Sequence, residues 1–406
     1  MRRSVLILAL VSCPCVALAA EFPRPRATVQ QTKPSAQQGD ESGVPSAAEV
    51  SAAIDRLGDF DFPVRSRAAR TVRRAPAAIG VPALTQAARR HEDGYVRFKA
   101  LVLLSGFNDP RTREVMGQML RDPNDRLRSV AYTWFEHHRD PAIVPRLVEA
   151  LGREESEFVR PALTRALAAY GSVPEARTAM TDLVMRGQAF FRSIVIESLG
   201  DYKGAYALPS LTSVAGIDGP LQDDAALALG KIGDKRSLPV LAKLQQTALR
   251  ESQPAIAAAI CLLGVNCASH EPYIVRSLEF SIENIGFQEL LRGSANALAA
   301  LGAAGRPEAI AALIERGAPS RDPARAAIAL ALGTVALRNP AVLLDTLSRE
   351  PLLAAGAELL REAFDMLEED FEEERFFAIV RRTYWQSEHN PKLRAAAETL
   401  IKTLEF

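Results

Sequence analysis

An all-α solenoid of about eleven stacked helical hairpins is the fold this sequence predicts, and three observations carry that expectation. The stretch Leu221 to Leu244 reads LQDDAALALGKIGDKRSLPVLAKL. From Ala225 to Ile232 it is apolar on nearly every side, and a helix apolar all round must be covered on more than one flank. Gly230 and Gly233 close that helix, Asp234 marks a turn, and Ser237 to Leu244 opens a second helix with proline near its start. The second observation is a ladder: Val64-Arg65, Val96-Arg97, Leu127-Arg128, Val159-Arg160 and Phe191-Arg192 follow one another at separations of 31 or 32 residues, a period that signals stacked repeats. The third is a second ladder in the same phase, Val81-Pro82-Ala83-Leu84, Val144-Pro145-Arg146-Leu147, Leu208-Pro209-Ser210-Leu211 and Leu238-Pro239-Val240-Leu241.

Composition agrees. Alanine, leucine and arginine dominate the 406 residues, and the valines and isoleucines fall at helical spacing, so strands are not expected. The formal charge is zero at 24% charged residues, a solvated surface without the basic field that nucleic acid demands. No nucleic-acid partner is expected.

In chain order, the first element is an address. Arg2 and Arg3 precede the apolar run Val5 to Val11, and Ala17-Leu18-Ala19 supplies the small-residue pattern of a cleavage site. Residues 1–20 therefore read as a secretory signal peptide, too short to span a bilayer, and the chain as exported, periplasmic or secreted. Leu10-Val11-Ser12-Cys13 also resembles a bacterial lipobox; on that alternative Cys13 is the lipidated first residue and the chain is anchored to the envelope. Residues 21–45 are rich in Pro, Gln, Ser and Thr, with too little apolar surface to order themselves. They read as a disordered linker reaching roughly 25 to 30 Å.

The solenoid occupies 46–406. First helices are expected near 46–57, 78–91, 110–121, 141–152, 173–186, 204–215, 235–248, 271–283, 306–317, 340–349 and 371–386. Their partners are expected near 62–75, 94–106, 125–138, 156–170, 188–200, 219–232, 251–264, 286–302, 321–337, 351–367 and 390–404. No hairpin covers its own apolar face, so neighbours supply the core and the ends need caps. Ser46 to Leu57 suits one end. The aromatic helix with Phe371, Phe376, Phe377, Tyr384 and Trp385, followed by Asn390 to Phe406, suits the other, within a divergent C-terminal cap at 350–406. The acidic run at its start, through Glu374, reads as a solvated helix N-terminus, where carboxylates favour the helix dipole.

These residues resemble HEAT repeats, particularly the short bacterial HEAT-like type found in phycobilin lyases. That type pairs a first helix with a P-x-L core with a second helix reading V-R-x-x-A-A-x-A-L-G-x-I-G, joined by a turn carrying aspartate. Leu221 to Leu244 fits, with Gln222 where the family has arginine, and Asp322, Arg325 and AAIALALG fit the second helix as well. The resemblance covers about Ser46 to Gly333. It implies a right-handed, armadillo-like superhelix with first helices convex and second helices concave.

Candidate sites are few. The ladder of Arg65, Arg97, Arg128, Arg160 and Arg192 reads as structural, its stems buried between repeats and its heads paired with turn residues, because an interface between like units needs the same residue each time. His137 and His138 are adjacent, so on a helix they point about 100° apart and do not share an ion; no metal ligands are expected. No nucleophile elbow, phosphate loop or dinucleotide fingerprint occurs, so neither catalytic nor cofactor-binding residues are named. Trp134 and Asp140 are only loosely like the pair used by HEAT-like DNA glycosylases. Cys261 and Cys267 flank Gly264; a disulfide and two reduced thiols are both open. The function expected is an exported, non-enzymatic scaffold or adaptor that binds a protein or peptide on its concave face. The alternatives are a lyase-like enzyme handling a cofactor or glycan, and a structural envelope component.

Overall fold

The computed structural model describes residues 43–349, 351–367 and 370–406; the expected signal peptide, Cys13 and the expected linker up to residue 42 lie outside them. Among the described residues there are 22 α-helices and no strand. They form eleven hairpins. The first six are α1 (Ala47–Asp55) with α2 (Phe62–Arg73), α3 (Ala77–Arg90) with α4 (Gly94–Ser105), α5 (Thr112–Met119) with α6 (Asp125–His137), α7 (Val144–Leu151) with α8 (Arg160–Ala169), α9 (Pro174–Val184) with α10 (Ala189–Asp201), and α11 (Leu208–Ala215) with α12 (Gln222–Ile232). The remaining five are α13 (Leu238–Thr247) with α14 (Gln253–Leu262), α15 (Cys267–Glu283) with α16 (Gln288–Ala303), α17 (Pro307–Gly317) with α18 (Ala324–Arg338), α19 (Pro340–Leu347) with α20 (Leu352–Leu367), and α21 (Asp370–Gln386) with α22 (Pro391–Leu404).

Local chemistry sets the helix ends. Ser46 and Glu49 form a reciprocal capping box on α1. Asp93 accepts from the Tyr95 amide at 2.7 Å and Asn124 from the Arg126 amide at 3.0 Å, which starts α4 and α6 by satisfying orphan donors. Pro145, Pro209 and Pro239 each sit in the first turn of their helix, where the missing N–H costs nothing. Gly233, at φ +84°, ends α12 in the left-handed conformation that glycine adopts without strain.

Gly230 has another task. It lies inside α12, and a Cβ placed there would meet the Ala259 Cα at 2.5 Å and its carbonyl oxygen at 2.8 Å. Glycine here lets α12 and α14 approach backbone to backbone. We expect Gly230→Ala to destabilise the chain by about 1 to 3 kcal/mol through overpacking, although alanine is the better helix former by ~1 kcal/mol. Urea unfolding measures the sign, and an unchanged or raised midpoint would show that the helices part at no cost.

The second helices pack on one another in an unbroken series from α2 to α22, whereas the first helices meet less closely between α5 and α7, α11 and α13, and α13 and α15. The layer that stays in contact occupies the inside of the curve. The second helices are accordingly the more thoroughly buried: Ala255 to Cys261 on α14 and Ala297 to Gly302 on α16 are buried without interruption.

The last hairpin departs from nearest-neighbour stacking. While α22 continues the series on α20, α21 turns into the curve and packs against α4 and α6. Phe371 joins the apolar core of the N-terminal half. Glu374 is 1% exposed and accepts from Arg73 at 2.7 Å and Arg381 at 3.1 Å. Lys99 pairs with Asp370, and His137 with Glu372 at 2.6 Å. The run at the start of α21 is therefore not a solvated helix start: Glu372 and Glu374 are buried because basic groups of α2 and α6 meet them there. The array is closed on itself, and the concave face is an interior.

Candidate functional site

Inside that closure lies a cavity of about 670 Å³. Its wall is built almost wholly from second helices: α6 gives His137, α10 gives Ser193, Glu197 and Asp201, α12 gives Asp224 and Lys231, α16 gives Asn296 and a floor of alanines, and α18 gives Thr334 and Arg338, with Arg375 of α21 closing one side. Ser193, Glu197 and Asp201 stand four residues apart, so they share one face of α10. That face is turned inward by the stacking of α10 between α8 and α12.

The polar groups form a chain across the cavity. Lys231 bonds Asp201 at 2.8 Å. Arg338 lies 3.4 Å from Asp201 and 3.6 Å from Glu197. Arg165 lies 4.0 Å from both Glu197 and Glu136. The Tyr202 hydroxyl donates to Glu136 at 2.5 Å, and Arg375 donates to Glu372 at 2.8 Å. Burial opposes charge on Lys231, yet Asp201 and Glu197 prevail and hold its ammonium above the ordinary lysine value. Burial raises the Glu136 carboxyl against the pull of Arg165. Burial also acts upward on Glu372, but the His137 bond and Arg375 outweigh it and bring that carboxyl down to about 2. Burial raises Asp224 too, with the Ser193 hydroxyl working the other way.

The sequence ladder lies elsewhere, in the turns within each hairpin. Arg97 donates to the Ala88 carbonyl at 3.0 Å and Arg192 to the Val184 carbonyl at 2.8 Å. Both carbonyls belong to the last turn of the first helix, where orphan acceptors need partners. Arg65 reaches the carbonyls of Asp59 and Phe60 at 2.7 and 3.0 Å. Arg128 grips Glu154 with two bonds of 2.8 Å, and Arg97 pairs with Asp122. Arg160 lies over the Phe191 ring, 4.6 Å from its centre. The arginines thus meet carbonyls, a ring or the next repeat's turn. Gln222, Gln253 and Arg325 do the same work, donating to Ala215 at 3.1 Å, Ala248 at 2.9 Å and Ala318 at 2.7 Å. Gln253 stands 31 residues after Gln222; the phase of the repeat marks it although the arginine is gone.

His137 and His138 diverge: His137 faces α21, and His138 stacks on Trp134 with ring centres 4.1 Å apart and bonds the Trp134 carbonyl at 3.0 Å. Trp134 is buried, while Asp140 caps the turn before α7. Cys261 and Cys267 are joined in a disulfide across the Gly264 turn, with Cα atoms 4.6 Å apart.

Two family descriptions match the chain: HEAT repeats over residues 50–133 and 114–200, and the PBS lyase HEAT-like repeat over residues 221–247. HEAT-type repeats are thus matched within residues 50–200 and 221–247 of the chain. Among solved structures it is similar to the complex of CpcE and CpcF of phycocyanin lyase from Nostoc sp. PCC7120, at 20% identity and TM-score 0.40 over 64% of this chain and 97% of that one. It is also similar to Kap121p bound to Pho4p, at 14% identity and TM-score 0.41 over 88% of this chain and 50% of that one. A third likeness is to human deoxyhypusine hydroxylase, at 19% identity and TM-score 0.27 over 54% of this chain and 96% of that one. No curated protein matches the chain in sequence.

Proposed function

We propose that the chain is an exported, non-enzymatic binding protein that receives a short polar segment of a protein or peptide partner in the cavity. The observation that carries this reading is the cavity itself, which is sized for a small ligand or a few residues of peptide and lined by charges of both signs. Lys203, Lys231, Arg338 and Arg375 balance Glu197, Asp201 and Asp224 closely enough that a peptide terminus or a zwitterionic group suits the wall better than a polyanion. A long helix laid along the concave face does not fit this reading, because α21 occupies that face at the N-terminal repeats. Export rests on residues 1–20, and anchoring through a lipid on Cys13 is the variant of the same proposal.

The test is capture from envelope extract by the mature chain, compared with an Asn296→Trp variant that fills the cavity from an exposed position. The reading expects a partner that the native chain retains and the filled variant loses, with both chains equally helical. Retention by both would move binding to an outer face. One observation favours the enzymatic alternative: Asp224 combines a position on the cavity wall with a carboxyl raised by burial, the condition of a general acid. Turnover of a captured ligand that stops in Asp224→Asn, with binding kept, would decide for it.

The same substitution has a consequence for stability. An acid whose folded value lies above its unfolded value of 3.8 keeps its proton in the folded state after the unfolded chain has lost it. Stability therefore falls as pH rises through that window and stays lower above it. Asp224→Asn is expected to raise the melting temperature at pH 7 and to flatten the dependence on the acid side. A lower melting temperature at pH 7 would show that the carboxylate is stabilised by the wall.

A further inference from the structure

Where α21 meets α6, a buried carboxylate is left half satisfied. Glu136 is 1% exposed; its Oε1 accepts from Tyr202 at 2.5 Å, and its Oε2 is buried with no hydrogen-bond partner. An acceptor in that state costs free energy unless something occupies it. Beside it, His137 Nε2 and Glu372 Oε1 are 2.6 Å apart. One ligand atom from each of Glu136, His137 and Glu372 falls within 4.8 Å of the others. Adjacent residues on a helix diverge by about 100°, but here the third group arrives from α21, 235 residues away in sequence, and completes a set that neither α6 residue completes with its neighbour.

We propose that Glu136, His137 and Glu372 form a binding site for a divalent transition-metal cation, with one imidazole and two carboxylates as ligands. That donor set suits zinc, manganese or iron(II) and carries no soft thiolate for copper(I). The remaining atoms of the carboxylates are held from outside: Tyr202 bonds Glu136 Oε1 and Arg375 bonds Glu372 Oε2 at 2.8 Å. This leaves Glu136 Oε2 and Glu372 Oε1 for the ion, the orienting arrangement that metal ligands need. Entry of the ion replaces the bond between His137 and Glu372, and the proton in that bond leaves to solvent. His137, Tyr202 and Arg375 line the cavity, so the ion has a path in. The site stands on this geometry and does not depend on the cavity receiving a peptide.

The experiment uses the full folded array, free of affinity tags and dialysed against chelator, titrated calorimetrically with zinc and separately with manganese. The cobalt(II) complex reports ligand type by its visible absorption. One equivalent per chain is expected, together with a rise in melting temperature, because an ion that binds only the folded state stabilises it. Glu136→Gln, which keeps the size and the Tyr202 contact, should weaken binding at least tenfold and abolish the rise. Glu372→Gln provides a second variant should the first fold poorly, and His138→Gln, whose ring points away, should bind as the native chain does. No saturable binding of any of the three ions to the native chain would overturn the proposal and leave the cluster as a proton-sharing pair. Binding unaffected by both glutamate variants would overturn it equally.

Discussion

Glu374→Ala is expected to cost about 3 to 5 kcal/mol, the usual effect of removing one member of a buried ion pair. Its carboxylate is 1% exposed and takes bonds of 2.8 and 2.7 Å from Arg73 of α2 and one of 3.1 Å from Arg381 of its own helix. Arg381 is itself held below its ordinary value by burial, against the pull of Glu374, so removing Glu374 leaves two guanidiniums facing each other without an anion. The effect should also be visible in the shape of unfolding. In an open array each repeat touches only its neighbours and ends can fray separately, but here the contact joins the first hairpin to the last. Cutting it should lower the denaturant slope or split the transition into two steps as the ends uncouple. A single transition, with native slope and a midpoint unchanged, would mean that α21 is seated by its apolar contacts alone.

The hairpins were legible because their signals are local and repeated. Every repeat needs a proline-tolerant start, a turn and an apolar second helix, so one well-formed copy at Leu221 to Leu244 teaches the reading of the others. Gly230 shows the limit of such local reading. As a helix terminator it and Gly233 look alike in sequence, and only the passage of α14 across α12 separates a glycine needed for φ from one needed for space.

Closure of the array was not legible, for a physical reason. Glu372 and Glu374 sit at a helix start, where carboxylates are favourable with or without a partner, and the groups that meet them, Arg73 and His137, lie more than two hundred residues away with no shared pattern. The cavity hid in the same way. Ser193, Glu197 and Asp201 at four-residue spacing on a largely apolar helix are a visible polar stripe, a sign in the sequence that the concave side is functional. What gives the stripe its meaning is Arg338, which reaches it from four hairpins further along. Neither residue type nor spacing announces that meeting.

Arg128→Ala should be the most damaging change within the ladder, and comparison with Arg65→Ala tests why. Arg128 makes two bonds of 2.8 Å to Glu154 and two more to the carbonyls of Asp122 and Pro123 at 2.9 and 3.2 Å. Glu154 keeps only 3% of its side chain in solvent, so truncation strands a carboxylate in the turn of the following repeat, at a cost of about 3 kcal/mol. Arg65 instead caps exposed carbonyls of Asp59 and Phe60, which water can satisfy in its absence, and its removal should cost less than ~1 kcal/mol. The double replacement Arg128→Met with Glu154→Leu should recover much of the loss, because it removes both charges from the buried turn together. Chemical denaturation of the four chains supplies the comparison. Equal losses for Arg65→Ala and Arg128→Ala would show that the ladder acts through packing of its aliphatic stems and not through its heads. A native melting curve for Arg128→Ala, coupled with lost capture of the partner, would transfer the ladder from the scaffold to the binding surface and move that surface from the cavity to the turn edge of the array.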